Sequence, residues 1–186
     1  MKTLKWILLV LLLLLMTGAT WRGELYRLFV NYRSIGQRIN YPIRDTALIG
    51  YIESEAAEKK ISDAEDVIAL ALSITSGRLN FTTDKNYNDP NLLIHTGTAN
   101  CIGYSAFFST TCNHLLKKYN YADTLVATPQ IGQLYFLKKN IHEYVSDPFF
   151  KDHDFVLIEN KKTGETYAVD PTVNDCLLIR YVTYKK

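Results

Sequence analysis

One stretch constrains the fold more than any other. Residues 101–119, CIGYSAFFSTTCNHLLKKY, carry apolar side chains at Ile102, Tyr104, Ala106, Phe107, Phe108, Leu115 and Leu116, which together wrap most of a helical circumference. A helix that is apolar nearly all round has to be buried on several sides. The spacing therefore predicts a central helix around which the other elements pack. A cysteine, Cys101, opens it, after Gly97 and Asn100, which suit a turn, and with Gly103 permitting close approach of another backbone or a substrate.

The flanking segments differ in character. Residues 46–60 read as an amphipathic helix with an acidic outer face. Ser62 followed by Glu65 matches a capping box, opening a second helix that Gly77 is expected to end. Residues 80–91, with Asp89-Pro90, read as a loop. Beyond the central helix, TLVATP, FVLIEN, ETYAVD and LLIRYVTY are short and rich in β-branched and aromatic residues, the chemistry of strands. GQLYFLKKNIHEYV reads equally as strand or helix. Helices first and strands last, joined by tight turns, predict an α+β fold with the central helix on a small antiparallel sheet.

The N-terminus is of another kind. WILLVLLLLLMTGATW, Trp6 to Trp21, is an apolar run near the shorter limit of about 17 residues for a membrane span. Thr17-Gly18-Ala19 resembles a cleavage site, but Trp21 and Arg22 follow at once and a helical pattern continues through RGELYRLFVNYR. The reading is an N-terminal membrane-anchor helix, single-pass, with the rest of the chain extracytoplasmic; secretion after signal cleavage is the alternative. Residues 1–23 are then anchor or signal, 24–61 a helical linker region, and 62–186 one domain. A net charge of +2 supplies no field that suggests nucleic acid. Three cysteines, Cys101, Cys112 and Cys176, show neither metal-site nor disulfide-framework spacing, so no metal or other cofactor is expected.

Cys101 is the residue to weigh for chemistry. A thiol is nucleophilic only as the thiolate, and a helix N-terminus favours that anion. Buried packing is the ordinary role of a cysteine, so a base is needed to tip the balance. Residues 151–172, KDHDFVLIENKKTGETYAVDPT, read as strand, polar turn and returning strand. With Lys161-Lys162 as the loop, His153 falls opposite Asp170; a longer loop or a bulge at Gly164 shifts the partner by about two positions. An aspartate accepting from one ring nitrogen leaves the other to take a thiol proton, the nucleophile–base–orienter logic of acyl transfer. The neighbouring Asp152 and Asp154 project from the opposite face of such a strand. His114, about 220° round the helix from Cys101, reads as structural or surface, His95 as at most a group supporting the site from behind, and His142 as a candidate lining of the cleft. Cys112, about 16 Å along the helix, reads as core, with a pairing to Cys176 left open.

A cysteine starting a helix in NCIGYSAFF, a histidine opening the strand HDFVLI, and an aspartate before proline in AVDPT resemble the transglutaminase-like superfamily, chemically similar to the papain-like cysteine proteases. The resemblance covers residues 62–183 and leaves 1–61 outside; residues 132–151 read as a long insert before the histidine. It implies Cys101, His153 and Asp170 as a catalytic triad that attacks a peptide or protein amide, forms a thioester, and releases it to water. The Cys101 amide is then one oxyanion donor, with Asn100 and Tyr104 near in sequence for the second. Amine transfer by a protein-crosslinking transglutaminase, and a non-catalytic binding or scaffold module of the same fold, are the alternatives.

Overall fold

A computed structural model of the chain describes residues 18–186. Most of the apolar run from Trp6 to Trp21 lies outside the described residues; among those described, no helix is long and apolar enough to cross a membrane. The elements run α1 (Arg22–Phe29), β1 (Val30–Gln37), α2 (Thr46–Ala56), α3 (Ala64–Arg78), β2 (Asn80–Phe81), α4 (Pro90–Thr96), β3 (Thr98–Ala99), α5 (Cys101–Lys118), β4 (Leu125–Phe136), β5 (Lys139–Asn140), two short 3₁₀ turns, β6 (His153–Asn160), β7 (Thr166–Val169), α6 (Pro171–Leu177) and β8 (Thr183–Tyr184).

Five strands lie in the order β7-β6-β4-β1-β8, with β5 hairpinned onto β4. Within this sheet the pairings are antiparallel except β1 with β8, which is parallel; β2 and β3 form a separate parallel pair. A bridge between Ala168 and Val182 joins β7 to the approach of β8, so the sheet curls into a nearly closed, barrel-like surface. Its two faces hold different side chains because strand residues alternate. Val156 and Ile158 of β6 join the main core with α3 and α5, among them Ile68, Leu72, Phe107, Phe108, Leu115 and Leu116. Phe155 faces the other way, against Tyr32, Ala168 and Val182. The molecule is thus a mixed α+β structure in which α5 packs against β4 and β6.

Several local expectations are corrected. Residues 30–37 continue no helix: after α1 they form β1, placed between β4 and β8, so part of the expected 24–61 linker lies inside the sheet. Their alternation of Val30, Tyr32 and Ser34 with Asn31, Arg33 and Ile35 suits a strand whose one face is covered. The helix cap near residue 62 sits one position later. Asp63 accepts from the Asp66 amide at 2.9 Å, and Asp66 reaches back to the Ser62 amide at 2.9 Å. Gly77 does not end α3, which runs through Arg78; a Cβ at Gly77 would come within 3.3 Å of the Tyr51 hydroxyl of α2. Residues 80–91 include β2, and Asp89-Pro90 opens α4, with Asp89 as N-cap and Pro90 in the first turn, where a missing N–H costs nothing. The ambiguous stretch divides: β4 extends to Phe136, turns at Leu137-Lys138, and returns as β5 before a 3₁₀ turn at Ile141–Tyr144. Of the last apolar stretch only Thr183–Tyr184 is strand.

Candidate active site

Cys101 is the first residue of α5, 6% exposed. Asn100 caps the helix: its side-chain oxygen accepts from the Ile102 and Gly103 amides at 3.1 and 3.2 Å, and its carbonyl accepts from Tyr104. The Cys101 N–H lies outside these bonds, in the position of a helix-terminal donor. The start of α5 is pinned from behind by Gly103, where a Cβ would stand 2.7 Å from the Ala99 methyl and 3.3 Å from the Tyr87 carbonyl. Only the absence of a side chain lets β3 and the loop before α4 come so near.

His153 opens β6, paired in register with Gly132 on β4. A Cβ at Gly132 would fall 2.6 Å from both the His153 carbonyl and the Phe155 ring. β4 therefore carries a glycine where the strand bearing the histidine presses against it, and residues 132–136, read as the start of an insert, are strand.

Asp170 lies one residue beyond β7 and caps α6. Its Oδ1 accepts from the Thr172 and Val173 amides, both at 3.0 Å, and its Oδ2 accepts from His153 Nε2 at 2.6 Å. The hairpin register explains the reach. Glu159 pairs with Thr166 and Val156 with Val169, so the ladder is two positions away from that of a two-residue loop, and the residue opposite Asp170 is Phe155. The longer turn closes through Gly164, at φ 73, whose N–H donates to the Asn160 carbonyl. His153 meets Asp170 diagonally because the chain leaves the sheet there to enter α6.

A fourth group completes the carboxylate. Tyr32 of β1, fully buried, donates its hydroxyl proton to Asp170 Oδ2 at 2.8 Å. Having given that proton, it accepts from Tyr26 of α1 across 2.5 Å. Burial pushes the Tyr26 hydroxyl up to about 12, and raises Tyr32 as well, with the Asp170 charge adding to it. Both remain neutral donors at any ordinary pH.

The electrostatics divide the pair. Burial alone would push His153 down and Asp170 up. The charge and hydrogen bond of Asp170, and then the hydrogen bond and charge of Cys101, instead carry His153 well above the usual imidazole range. The His153 charge and hydrogen bond, the Val173 amide and the Tyr32 hydroxyl hold Asp170 below the usual carboxylate range. Nε2 is committed to Asp170, which leaves Nδ1 open, and Cys101 is near enough to add to the rise of His153.

Asp154, on the opposite face of β6, is bound by Arg38 through Nε at 2.9 Å and Nη2 at 3.2 Å; Asp152 is 3.9 Å from the same guanidinium. Burial raises Asp154, opposed by Arg38. The remaining histidines have other partners. His142 accepts from the Leu134 amide and donates Nδ1–H to the Phe150 carbonyl at 2.6 Å, fixing residues 141–150 onto β4 instead of lining a cleft at Cys101. His114 meets Glu53 at 2.7 Å and His95 meets Asp45 at 2.8 Å. The Tyr104 hydroxyl lies 2.8 Å from the Asp175 carboxylate and 2.9 Å from the Leu79 carbonyl, so its proton is committed to those acceptors. Cys112 is fully buried, its thiol pushed up to about 12 by burial, and Cys176 is exposed; no disulfide joins them.

The structure thus brings Cys101, His153 and Asp170 together, and adds Tyr32, Tyr26 and Arg38, which sequence reasoning missed. The alternation of residues 30–36 was the available signal for Tyr32, masked by the helical pattern running into it. No family model, curated protein or solved structure matches this chain.

Proposed function

We propose that the protein is a thiol hydrolase of transglutaminase-like type, acting on a peptide or protein amide through a Cys-His-Asp triad and held to a membrane by residues 1–23. The observation that carries this reading is the placing of His153, bound to Asp170 through one nitrogen, beside a cysteine that opens a helix. In the proposed reaction the Cys101 sulfur attacks the amide carbon while His153 holds the thiol proton. The carbonyl electrons move to oxygen, where the Cys101 N–H is placed as a donor. Collapse breaks the C–N bond, His153 protonates the leaving amine, and a thioester remains. Water, deprotonated by His153, then releases the acid. Asp170 keeps the imidazole oriented throughout and stabilises its charged form.

The test is the reactivity of the thiols at pH near 6. Limiting iodoacetamide is expected to modify Cys101 and spare Cys112, and His153→Ala to slow modification of Cys101 roughly tenfold or more while Cys176 is unaffected. Equal sensitivity of Cys101 and Cys176 to the His153 change would overturn the triad. Incubation with glutamine-containing protein and a labelled primary amine then separates the routes: release of free acid dependent on Cys101 supports hydrolysis, and faster incorporation of amine supports crosslinking.

A further inference from the structure

Away from the triad, α1 and the β4–β5 hairpin expose a continuous apolar surface. Trp21, Leu25 and Leu28 follow one another at helical spacing, and Leu28 is 69% exposed. Phe29 packs on Phe136, ring centroids 6.2 Å apart, and its carbonyl accepts from the Leu137 amide at 3.0 Å. Leu137 itself stands 58% exposed at the hairpin tip. Phe136 pairs with Lys139, so the loop is the two residues Leu137 and Lys138, with φ 48 and 70. A turn with both central residues at positive φ is ordinarily built from Asn-Gly or Asp-Gly. Here a leucine is held there, strained and facing solvent, which is the kind of outlier that points to a role. Leu28, Phe29, Leu137, Lys138, Arg27 and Lys185 line one shallow cleft of about 340 Å³.

Charge and tether identify what covers this face. Among the described residues, Lys138, Lys139, Lys185 and Lys186 make no ion pair, and Glu24, the one carboxylate on α1, is paired with Arg27 at 3.0 Å. Apolar tips ringed by lysines whose stems can lie along them while the ammonium groups reach phosphate fit a lipid interface; lysine is depleted from the cores of protein interfaces. The apolar run of residues 6–16 ends just before this face. Leu28 follows Thr17 by eleven positions, a reach of at most about 40 Å even if fully extended, so a chain anchored by that run keeps α1 near the bilayer surface.

We propose that the protein rests on an anionic lipid surface through this face, with Leu28, Phe136 and Leu137 entering the interface and Lys138, Lys139 and Lys185 contacting lipid phosphates. The proposal rests on the reading of residues 1–23 as a membrane anchor. The test uses the full chain in vesicles of phosphatidylcholine and phosphatidylglycerol with brominated acyl chains, in a Trp6→Phe/Trp21→Phe background. Tryptophan is placed at Leu137, at Phe136 in case the tip does not tolerate it, or at Leu92 on α4 as a control. Bromolipid is expected to quench Trp at 137 or 136 at least roughly twofold more than Trp at 92, and the excess to shrink with Lys138→Gln/Lys139→Gln or without phosphatidylglycerol. Protein that floats with vesicles but quenches equally at tip and control overturns the docking and leaves the anchor standing. Protein that fails to float overturns both. A tip tryptophan shielded from bromolipid, with emission that follows the protein-to-lipid ratio, overturns the docking in favour of contact between copies.

Discussion

Outside the proposed triad, Tyr32 is the side chain that hydrogen-bonds Asp170. Asp170 is fully buried and keeps its charge because every lone pair is met: two amides on Oδ1, and His153 and Tyr32 on Oδ2. Buried polar groups lose most when one partner is removed and the other is left unpaired. Tyr32→Phe leaves the carboxylate one donor short and the Tyr26 hydroxyl without its acceptor. It is expected to lower unfolding stability in urea by about 1–3 kcal/mol while the far-ultraviolet circular dichroism is retained. A change in the urea midpoint indistinguishable from wild type would show that Tyr32 is packing alone. Tyr32 illustrates what was hidden in the sequence: no spacing relates it to Asp170, because 138 residues separate them.

Glycines stand at the tightest contacts between elements, and the closest is at Gly132, where β4 pairs with β6. At Gly132 a methyl group would strike backbone as well as the Phe155 ring, and neither can rotate away. Gly132→Ala is therefore expected to lower the melting temperature by an amount matching about 1–3 kcal/mol of overpacking. Because His153 is the residue displaced, modification of Cys101 should also lose its dependence on His153. By contrast, Gly50, with nothing within 4 Å of an added Cβ, serves as the matched control in a helix, where Ala replaces Gly favourably. The central helix was legible because its apolar pattern has only one physical solution. The strand β1 was not, because the helical pattern of α1 runs into it without a proline or glycine at the boundary.

Across the whole molecule the ionic pair gives folding a defined pH dependence. His153, raised on folding, contributes stability that is complete below its unfolded value of about 6.5 and is lost as pH rises through the folded value. Asp170, lowered on folding, contributes above its unfolded value of about 3.9 and loses that contribution as pH falls through the folded value. The two overlap between about pH 4 and pH 6.5. Asp154, raised by burial, acts in the opposite sense in acid, so the pair is best read by difference. The stability gap between wild type and Asp170→Asn should be widest in that window and narrow on both sides, measured by urea unfolding across pH. A gap independent of pH would show that Asp170 is uncharged or His153 unprotonated in the folded state.

Local chemistry was enough to place the cysteine at a helix start and the histidine at a strand start, because caps, periodicity and turn residues act over a few positions; the aspartate, expected on the returning strand, stands one residue past its end. It also offered the two-position shift that the Gly164 turn adopts. Tertiary structure decided the rest. Asp170 reaches His153 by leaving the sheet to cap α6, β1 enters beside β4 to bring Tyr32 beneath the carboxylate, and Arg38 clamps Asp154 on the far face. Each joins residues distant in sequence, and such contacts are fixed by how buried faces pack, which no local pattern encodes.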